Sequence, residues 1–396
     1  MKTRGLVVPE RVVQLVSEGG CDVPLSWIGA GQMRPGRPIA LFDLKGQSLG
    51  LGLSDPENGL LRVLARSGEP FARLDTGFAA SRVERAVALR SGLGLVGERS
   101  SYRIVHGAGD GLPGLAADVF GGWAVLYAYS EALLPLGKLV ATAIRDQVGL
   151  RGVVVKVRSR GAAGRHELQQ EIVGEAPPER LVVEEHGVPF EIHPLAALNV
   201  GLFTDMRVNR QRLAPLAPGR DVLNGFSYTG ALSVVCARAG AGSVLSVDLS
   251  AGVQRWAKDN FRLSGLDPED ARFGFEAEDV SRYLERAAGE GKAFDLIVLD
   301  PPTWSSARGA PWSLERDYPA LVTRACTVLR PKGLLWLASN TRAVALDQLA
   351  EQGLRRAGRE AKLLEEGGLP PDFPTVPAQP DDRYLRVCVF AVDPAL

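Results

Sequence analysis

The amino-acid sequence predicts an α/β protein in which two smaller parts precede a doubly wound parallel sheet. From about residue 191 onward, short apolar runs alternate with helical patterns, which is typical of parallel strands joined by helices. Before about residue 75, short β-type runs are separated by glycine turns, which indicates a small barrel or sandwich. The predicted domains are therefore residues 1–75, 76–190 and 191–396, consistent with about 100–200 residues per domain.

The first two domains contain short strands and amphipathic helices. The β-type runs of the first domain lie at 38–42, 48–52 and 60–64, and no residue there resembles a catalytic centre. The second domain alternates between helix and strand, with apolar positions recurring at three and four in its helices. Its predicted elements are a helix at 78–90, a strand at 123–129, a helix at 132–147 and a strand at 153–158.

The second domain also carries a dense group of basic residues around its last strand. On a strand and its following loop, they could contact phosphates of a nucleic acid. An alternative interpretation is a solvated strand edge, because basic side chains guard such edges against aggregation. The residues are Arg151, Lys156, Arg158, Arg160 and Arg165.

The third domain reads as a sheet with both faces covered by helices, because its strands are nearly unbroken apolar runs. The predicted strands are 221–224, 243–248, 294–300 and 334–338, and the predicted helices are 230–238, 253–263 and 314–329.

The composition excludes several classes of protein. Hydrophobic residues make up 45% of the chain and charged residues 23%, which suits buried cores rather than a disordered chain. The 46 basic residues balance the 46 acidic ones, so the whole-chain charge indicates neither a nucleic-acid nor a membrane partner. Any such partner must be recognised by local patches.

Cysteine and histidine usage argues against a structural metal and against a secreted disulfide scaffold. The four cysteines form no CxxC pair, and only four histidines accompany them. The most apolar long stretch, residues 123–144, is interrupted by Glu131, Pro135 and Lys138, so we expect no membrane span. These features predict a cytoplasmic protein with reduced thiols at Cys21, Cys236, Cys326 and Cys388.

The predicted strands of the third domain end in residues suited to a nucleoside ligand. In such sheets, ligands bind beyond the carboxyl ends of the strands, near the topological switch point. Residues 224–230 form a glycine turn that is not GxGxxG, so a dinucleotide pyrophosphate is disfavoured. Asp248, about 24 residues after Asn224, is placed to accept ribose hydroxyls, and Asp279 to accept an adenine amino group. Either acid could instead be a helix N-cap. Together they favour S-adenosylmethionine, which carries no phosphate.

The segment Asp300-Pro301-Pro302-Thr303-Trp304 is the sharpest local signal. Two prolines restrict φ and remove two N–H donors, which leaves outward carbonyls in a rigid geometry. The Asp300 carboxyl could then orient the edge of a flat base, and Trp304 could stack on it. Alternatively, the prolines only end a strand and Trp304 lies in the core.

Several motifs together resemble those of the class I S-adenosylmethionine-dependent 23S ribosomal RNA methyltransferases. The nearest group comprises the large-subunit methyltransferase I and the K half of the K/L enzyme. The resemblance covers nearly the whole chain and is weakest in the first domain, around residues 35–38. The motifs are the glycine turn 224–230, Val247-Asp248-Leu249-Ser250, the Asp-Pro-Pro segment 300–305, the GxFxDxR element 201–207, the helix 256–266 and the central signature 106–115.

The resemblance implies an N-terminal PUA-like RNA-binding barrel, a central α/β domain and a Rossmann-like methyltransferase domain. It also implies that the glycine turn borders the methionine end of the cofactor and that the Asp-Pro-Pro segment faces the base. The implied cofactor-binding residues are Phe203, Arg207, Asn224, Phe226, Ser227, Tyr228, Gly230, Asp248 and Asp279. The implied catalytic residues are Asp300, Pro301, Pro302, Trp304 and Asn340.

One departure from the cytosine-C5 members of this family bears on the reaction. Methylation at C5 needs a thiolate that attacks C6, and related enzymes carry this cysteine after the next strand. Here that place reads Ser339-Asn340-Thr341-Arg342, which resembles the guanine-N7 members instead. Guanine N7 has a free lone pair and needs no deprotonation. Holding N7 in line with the sulfonium methyl group of the cofactor is therefore most of the catalysis. The resemblance together with the missing cysteine therefore predicts guanine N7 of 23S rRNA as the target. Whether the protein is a monomer or a homodimer is left open.

Three alternatives remain at this point. A cytosine-C5 or exocyclic-amine methyltransferase would use the same cofactor, and the Asp-Pro-Pro segment also suits an amine. A non-catalytic RNA-binding ribosome-assembly factor would not transfer a methyl group. A nucleotide-dependent oxidoreductase is disfavoured because the GxGxxG motif is absent.

Overall fold

The structure is a computed structural model that describes residues 4–29, 33–97, 100–158, 170–197, 199–302, 304–305, 312–341 and 345–393. By contacts within the chain, it forms two compact units. The N-terminal unit comprises Met1–Val183, His193–Val200 and Pro371–Asp382, and the C-terminal unit comprises Glu184–Ile192, Gly201–Pro370 and Arg383–Leu396. The division into domains at residues 75 and 190 stays a prediction.

The first sheet of the N-terminal unit has five strands in the order β1-β3-β4-β5-β2. The first pair, β1 with β3, is parallel, and the remaining pairs are antiparallel. Val12, Leu41 and Leu61 are fully buried and form part of its core. The elements are β1 (Arg4–Val7), α1 (Glu10–Ser17), β2 (Asp22–Pro24), β3 (Pro38–Phe42), β4 (Ser48–Asp55) and β5 (Leu60–Arg66). The three predicted β-type runs are confirmed.

The second sheet of this unit has the order β10-β9-β8-β7-β6, with two helices packed on it. The Asp75 carboxylate caps the first of these helices by accepting hydrogen bonds from the backbone N–H groups of Gly77 and Phe78. The elements are α2 (Thr76–Gly92), β6 (Ser101–His106), β7 (Leu115–Phe120), β8 (Trp123–Ala128), α3 (Leu134–Val148), β9 (Gly152–Val157) and β10 (Gln170–Gly174). Strands β8 and β9 are parallel, so α3 is their crossover helix.

The C-terminal unit is built on a seven-stranded sheet of order β15-β14-β13-β16-β19-β21-β20. The elements along this part of the chain are β11 (Leu181–Glu185), β12 (Val188–Ile192), α4 (Arg207–Leu213), β13 (Asp221–Gly225), α5 (Ala231–Arg238), β14 (Ser243–Asp248), α6 (Ala251–Leu263), β15 (Phe273–Ala277), α7 (Val280–Gly289), β16 (Phe294–Leu299), β17 (Trp304–Ser305), β18 (Trp312–Ser313), α8 (Leu314–Thr327), β19 (Leu329–Ser339), α9 (Leu346–Arg356), β20 (Ala361–Gly367) and β21 (Arg386–Val392).

The predicted wholly parallel sheet is wrong at one edge of this unit. Strand β21 runs antiparallel to both of its neighbours, β19 and β20. The apolar pattern of a buried strand is the same in either direction, so it carries no information about polarity. The central strands β13 and β16 are buried as the apolar runs predicted, with Leu223, Ile297 and Leu299 fully inaccessible. None of the described helices is long and apolar enough to cross a membrane.

Candidate active site

The polar strand ends of the C-terminal unit meet where the sheet order reverses. Strand β13 lies between β14 and β16, so the chain leaves it first to one side and later to the other. Gly225 is level with Val247 of β14 and with Leu299 of β16. Asp248 and Asp300 follow those two residues directly. The glycine turn and both acids therefore lie at one edge of the sheet, at its topological switch point.

The glycine turn after β13 is held in a strained conformation. Phe226 and Tyr228 have φ values of 61° and 47°, which residues other than glycine rarely adopt. Gly230 has a φ of 77°, and a Cβ there would lie 2.8 Å from the Cβ of Ala257 in α6. The turn is fixed by backbone hydrogen bonds, from Ser227 N to Val247 O at 3.1 Å and from Gly230 N to Ser227 O at 2.8 Å.

The carboxylate of Asp248 ties this turn to the end of β14. Its Oδ2 accepts the backbone N–H of Tyr228 at 2.9 Å, and its Oδ1 accepts that of Ser250 at 3.2 Å. Asp248 is half-buried. Since an ionised carboxylate has about four lone-pair positions, these two contacts leave room for further donors such as ribose hydroxyls.

The hydrogen-bond partners of Asn224 and Asp279 are seen only in the structure. The Asn224 Nδ2 donates to Ser233 Oγ at 2.9 Å, and Ser233 lies 2.7 Å from Ser246 Oγ, so this buried chain joins β13, α5 and β14. Asp279 is the N-cap of α7, where its Oδ1 accepts from Arg282 N at 3.1 Å. The N-cap interpretation of Asp279 is therefore correct, and the exposed carboxylate still lies beyond β15.

The GxFxDxR element contributes aromatic and buried basic side chains. The Phe203 ring lies 5.5 Å from that of Tyr228 and is 43% exposed. A Cβ on Gly201 would come within 2.3 Å of the Trp256 ring, so glycine permits this segment to approach α6. Arg207 begins α4 and is buried. Phe203 and Arg207 thus belong to the same unit as the glycine turn.

Asp300 follows β16 and has an unusual acidity. The pKa of Asp300 is raised to about 7, chiefly by burial and then by the Asp205 carboxylate, while the Arg210 guanidinium opposes both effects. The Tyr384 hydroxyl donates to Asp205 Oδ2 at 2.8 Å. Sequence reasoning did not single out Asp205, although it is the acid of the GxFxDxR element. Tyr384 carries no motif, so only the structure associates it with this site.

The remaining residues of the Asp-Pro-Pro segment continue along the same edge. Pro301 is buried and Pro302 is exposed, while Thr303 lies outside the described residues. Trp304 begins the short strand β17, which pairs with β18. Asn340 follows β19, which is the neighbour of β16, and is exposed. Arg342 lies outside the described residues.

A buried ion pair supports the GxFxDxR element. Arg210 is 3% exposed and makes a bidentate contact with Glu185, at 2.6 and 2.7 Å. It also donates to the backbone carbonyl of Phe203 at 2.6 Å. The pair therefore anchors α4 and the residues preceding it. Glu185 and Arg210 lie 25 positions apart, and no sequence pattern predicts that they contact each other.

The structure changes the interpretation of the basic group around β9. Lys156 is fully buried and donates from Nζ to the Ala196 carbonyl at 2.6 Å, so it cannot contact a phosphate. Burial lowers its pKa to about 8. Arg151 and Arg158 lie over the rings of Trp123 and Tyr127, at 4.8 and 4.2 Å from the centroids. The other two members, Arg160 and Arg165, lie outside the described residues.

All four cysteines are free and buried in cores. Burial raises the pKa of the Cys236 and Cys388 thiols to about 12 and that of Cys326 to about 11. It raises the pKa of the Cys21 thiol as well. The thiolate form is therefore disfavoured at every one of them.

The fold and the residues at the carboxyl ends of the strands define a class of protein, a Rossmann-like methyltransferase. The model of the S-adenosylmethionine-dependent methyltransferase family matches residues 135–386. The chain belongs to this family, and its cofactor is S-adenosylmethionine. The residues at the switch point fit this group, because the Asp248 carboxylate retains acceptor positions for the ribose hydroxyls.

Relatives with assigned names are similar along nearly the whole chain. A ribosomal RNA large subunit methyltransferase of Deinococcus radiodurans is 33% identical over 373 residues, which are 91% of this chain and 90% of the relative. The ribosomal RNA large subunit methyltransferase I of Erwinia tasmaniensis is 31% identical over 363 residues, 90% of each chain.

Solved structures share the fold. A candidate S-adenosylmethionine-dependent methyltransferase from Streptococcus mutans superposes with a TM-score of 0.84 at 21% identity, covering 98% of this chain and 100% of that one. A second structure, a candidate methyltransferase complexed with S-adenosylhomocysteine, has a TM-score of 0.87 at 22% identity and the same coverage.

Proposed function

We propose that the protein methylates a guanine of 23S ribosomal RNA at N7. The observation that carries this proposal is the pairing of Asp300-Pro301-Pro302 with Asn340 at the ends of the neighbouring strands β16 and β19, while every cysteine is buried elsewhere as a disfavoured thiolate. The named relatives modify large-subunit ribosomal RNA, which supports an RNA substrate.

The residues present match the demands of N7 better than those of C5. Bound S-adenosylmethionine supplies an electrophilic methyl group on its sulfonium. Guanine N7 attacks with a lone pair and loses no proton, so the protein has only to hold the base in line. The Asp300 carboxylate accepts from N1–H and the exocyclic amine of guanine, and the Asn340 amide donates to O6. Cytosine C5 would need a thiolate nucleophile.

The cofactor-binding residues implied by the family resemblance are part of this proposal. Asp248 holds the ribose, Asp279 the adenine amino group, and the glycine turn the methionine end. Phe203 and Tyr228 supply a partly exposed aromatic surface next to the turn. The resemblance also implies that Trp304 stacks on the target base, although its side chain lies outside the described part of the structure.

Methyl transfer to undermethylated ribosomal RNA tests the proposal. The full chain is incubated with labelled S-adenosylmethionine and 23S RNA, and the RNA is digested to nucleosides. We expect the label in 7-methylguanosine, lost in Asp300→Ala and retained in a control, Asp267→Asn. Asp267 is exposed and accepts from Glu269 N, a role that asparagine can keep. Label in 5-methylcytosine contradicts the N7 assignment.

A second candidate is methylation of an exocyclic amine, which one observation favours. An amine loses a proton when it is methylated, and a carboxylate whose pKa lies near 7 is suited to receive it. Asp300 would then be the base rather than only an orienting group. Label in an N-methylated amine rather than at N7 would identify this reaction.

A non-catalytic assembly factor is the remaining alternative from another class. Calorimetric titration with S-adenosylhomocysteine separates it, because an assembly factor need not bind the cofactor. Binding together with RNA-dependent label transfer excludes this role as the sole function.

A further inference from the structure

The N-terminal unit contains a cavity that the methyltransferase site does not use. Its volume is about 310 Å³, and its lining comes from β5, from α2 and from the central signature at residues 106–115. Three arginines and two acids contribute to it, together with apolar side chains such as Leu64 and Val376. The charged lining residues are Arg66, Arg82, Arg85, Glu69 and Asp110.

Both acids of this cavity are already neutralised. Asp110 receives a bidentate contact from Arg90, at 2.5 and 2.9 Å, and its Oδ2 also accepts His106 N at 2.6 Å. Glu69 pairs with Arg82 at 2.6 Å. Because both acids are already paired with arginines, the lining of the cavity keeps an excess of positive charge.

The guanidinium groups of two of the arginines have no carboxylate partner within the described part of the chain. The Arg66 guanidinium donates to backbone carbonyls, at 2.5 Å to Gly19 and at 3.4 Å to Val16 and Gly20, while the backbone N–H of Arg66 donates to Glu69 Oε1 at 3.1 Å. Arg85 is exposed and makes no hydrogen bond or ion pair to the described residues. An anion in the cavity would meet two uncompensated guanidinium groups.

The third arginine, Arg82, is buried at 3% exposure, and its Nε has no hydrogen-bond partner among the described residues. Buried donors are normally satisfied, so this atom requires an explanation. Gly111, which also lines the cavity, has a φ of 69°, and a Cβ there would lie 3.0 Å from this Nε. Glycine thus keeps a side chain away from the guanidinium.

The cavity is formed by parts that are rigidly held. Residues 371–382 are tied to α2 and β6, because Arg90 of α2 donates to Asp372 O at 2.7 Å and the backbone N–H of Arg103 in β6 donates to Asp372 Oδ2 at 2.9 Å. A Cβ on Gly109 would come within 1.8 Å of Pro374 O, so only glycine permits this packing. A rigid cavity binds its ligand at a lower entropic cost.

We propose that this cavity binds a phosphate group, and specifically a phosphate of the RNA chain that the proposed function takes as substrate. The guanidinium groups of Arg66, Arg82 and Arg85 recognise the phosphate oxygens. The apolar lining offers a surface for the attached sugar. A volume near the lower end of the range of about 300–1,000 Å³ for small-ligand pockets suits one nucleotide. This inference rests on RNA being the substrate, and it assigns the central signature a role in gripping that RNA.

Arginine-to-glutamine variants at two matched positions test the proposal in the full chain. Arg85 lines the cavity, whereas Arg73 is also exposed, has no partner among the described residues and lies outside the cavity. Affinity for a labelled 23S RNA fragment is measured by anisotropy over a range of salt. For Arg85→Gln we expect the slope of log affinity against log salt to fall by about 0.7–0.9, the value of one phosphate contact. Arg85→Lys should restore it.

The same variants distinguish the source of the phosphate. Thermal unfolding is measured with inorganic phosphate and with adenosine monophosphate at constant ionic strength. Stabilisation of the wild type but not of Arg85→Gln would show that the cavity takes free phosphate compounds. An effect confined to RNA would assign the site to the polymer. Identical RNA slopes and identical melting shifts for Arg85→Gln and Arg73→Gln would overturn the proposal.

Failure of the proposed function gives a different pattern. Wild-type protein that binds RNA but transfers no methyl group contradicts the methyltransferase proposal, and the salt slopes of the two variants can still be read. Conversely, wild-type transfer with equal slopes for both variants contradicts only the phosphate site. At limiting RNA, we expect Arg85→Gln to lower the transfer rate, whereas Arg73→Gln, outside the cavity, should keep the wild-type rate.

Discussion

The backbone N–H of Tyr228 donates to Asp248 Oδ2 at 2.9 Å, so the carboxylate expected to hold the ribose also fixes the turn expected to border the methionine. Tyr228 is one of two non-glycine residues in that turn with positive φ. A strained backbone persists only where its surroundings determine it. Asp248 therefore supports the turn, and under the proposed function it is also an acceptor for the cofactor.

This double role makes the site sensitive to Asp248→Ala. The substitution removes a charged acceptor from the turn and from the ribose, and hydrogen bonds to charged groups contribute about 1.5–3 kcal/mol. We expect affinity for S-adenosylhomocysteine to fall by about 10- to 100-fold in calorimetry. Asp267→Ala, at an exposed position away from the strand ends, should bind like the wild type. Unchanged affinity in a folded Asp248→Ala protein would contradict this assignment.

Gly230 is expected to be required for packing as well as for conformation. Gly230→Ala forces a Cβ against Ala257 at 2.8 Å, whereas Gly265 has a nearly equal φ of 75° with nothing within 4 Å. Gly265→Ala thus reports the cost of φ alone, roughly 1–2 kcal/mol. Gly230→Ala should lose a further ~1–3 kcal/mol through overpacking. Urea unfolding measures both; equal losses would show that the contact relaxes without cost.

The raised pKa of Asp300 predicts a pH-dependent stability. The acid titrates near pH 7 in the folded protein and near about 3.9 in the unfolded chain. Between these values the folded state binds more protons, so the contribution of Asp300 to the free energy of unfolding decreases as pH rises. Asp300→Asn cannot ionise. The variant should therefore gain stability relative to the wild type between pH 4 and pH 8, as followed by urea unfolding. A pH-independent difference would refute the shift.

Asp205 is expected to tune the same acid. Its negative charge raises the pKa of Asp300, so Asp205→Asn should lower that pKa. If the ionised Asp300 is the active form, the rise of the methyl-transfer rate with pH occurs at lower pH in this variant. The pH–rate profile of the variant measures this shift. A purely structural role of Asp205 would change the rate without shifting the pH at which it rises. Asp267→Asn should leave the profile in place.

The Glu185–Arg210 pair should contribute strongly to stability once it is broken on one side. Glu185→Gln leaves a buried guanidinium without its charge partner, which costs about 3–5 kcal/mol in comparable buried pairs. The exposed i,i+3 pair of Asp259 and Arg262 is the comparison, where Asp259→Asn should cost less than about 1 kcal/mol. Denaturant unfolding of the two variants compares them. Similar costs would mean that water reaches the buried pair.

The central strands of the C-terminal unit and their polar ends were predictable from the sequence. The alternation of apolar runs and helical patterns was sufficient to locate β13, β14, β16 and β19, because burial on both faces selects continuous apolar strands. It also placed Asp248 and Asp300 at strand ends. The prediction of a parallel sheet was wrong at β21, because an apolar run does not show the direction of its strand.

Local pattern by itself determined that the chain is an α/β protein with a glycine turn, strand-end acids and an Asp-Pro-Pro segment. Tertiary structure alone decided which residues control those acids. Asp205 raises the pKa of Asp300, and Tyr384 reaches Asp205 across 179 positions of sequence. It also decided that Lys156 and Arg210 are buried rather than available to RNA. Charge and hydrogen-bonding partners over such separations depend on how the elements pack, and no local pattern encodes that packing.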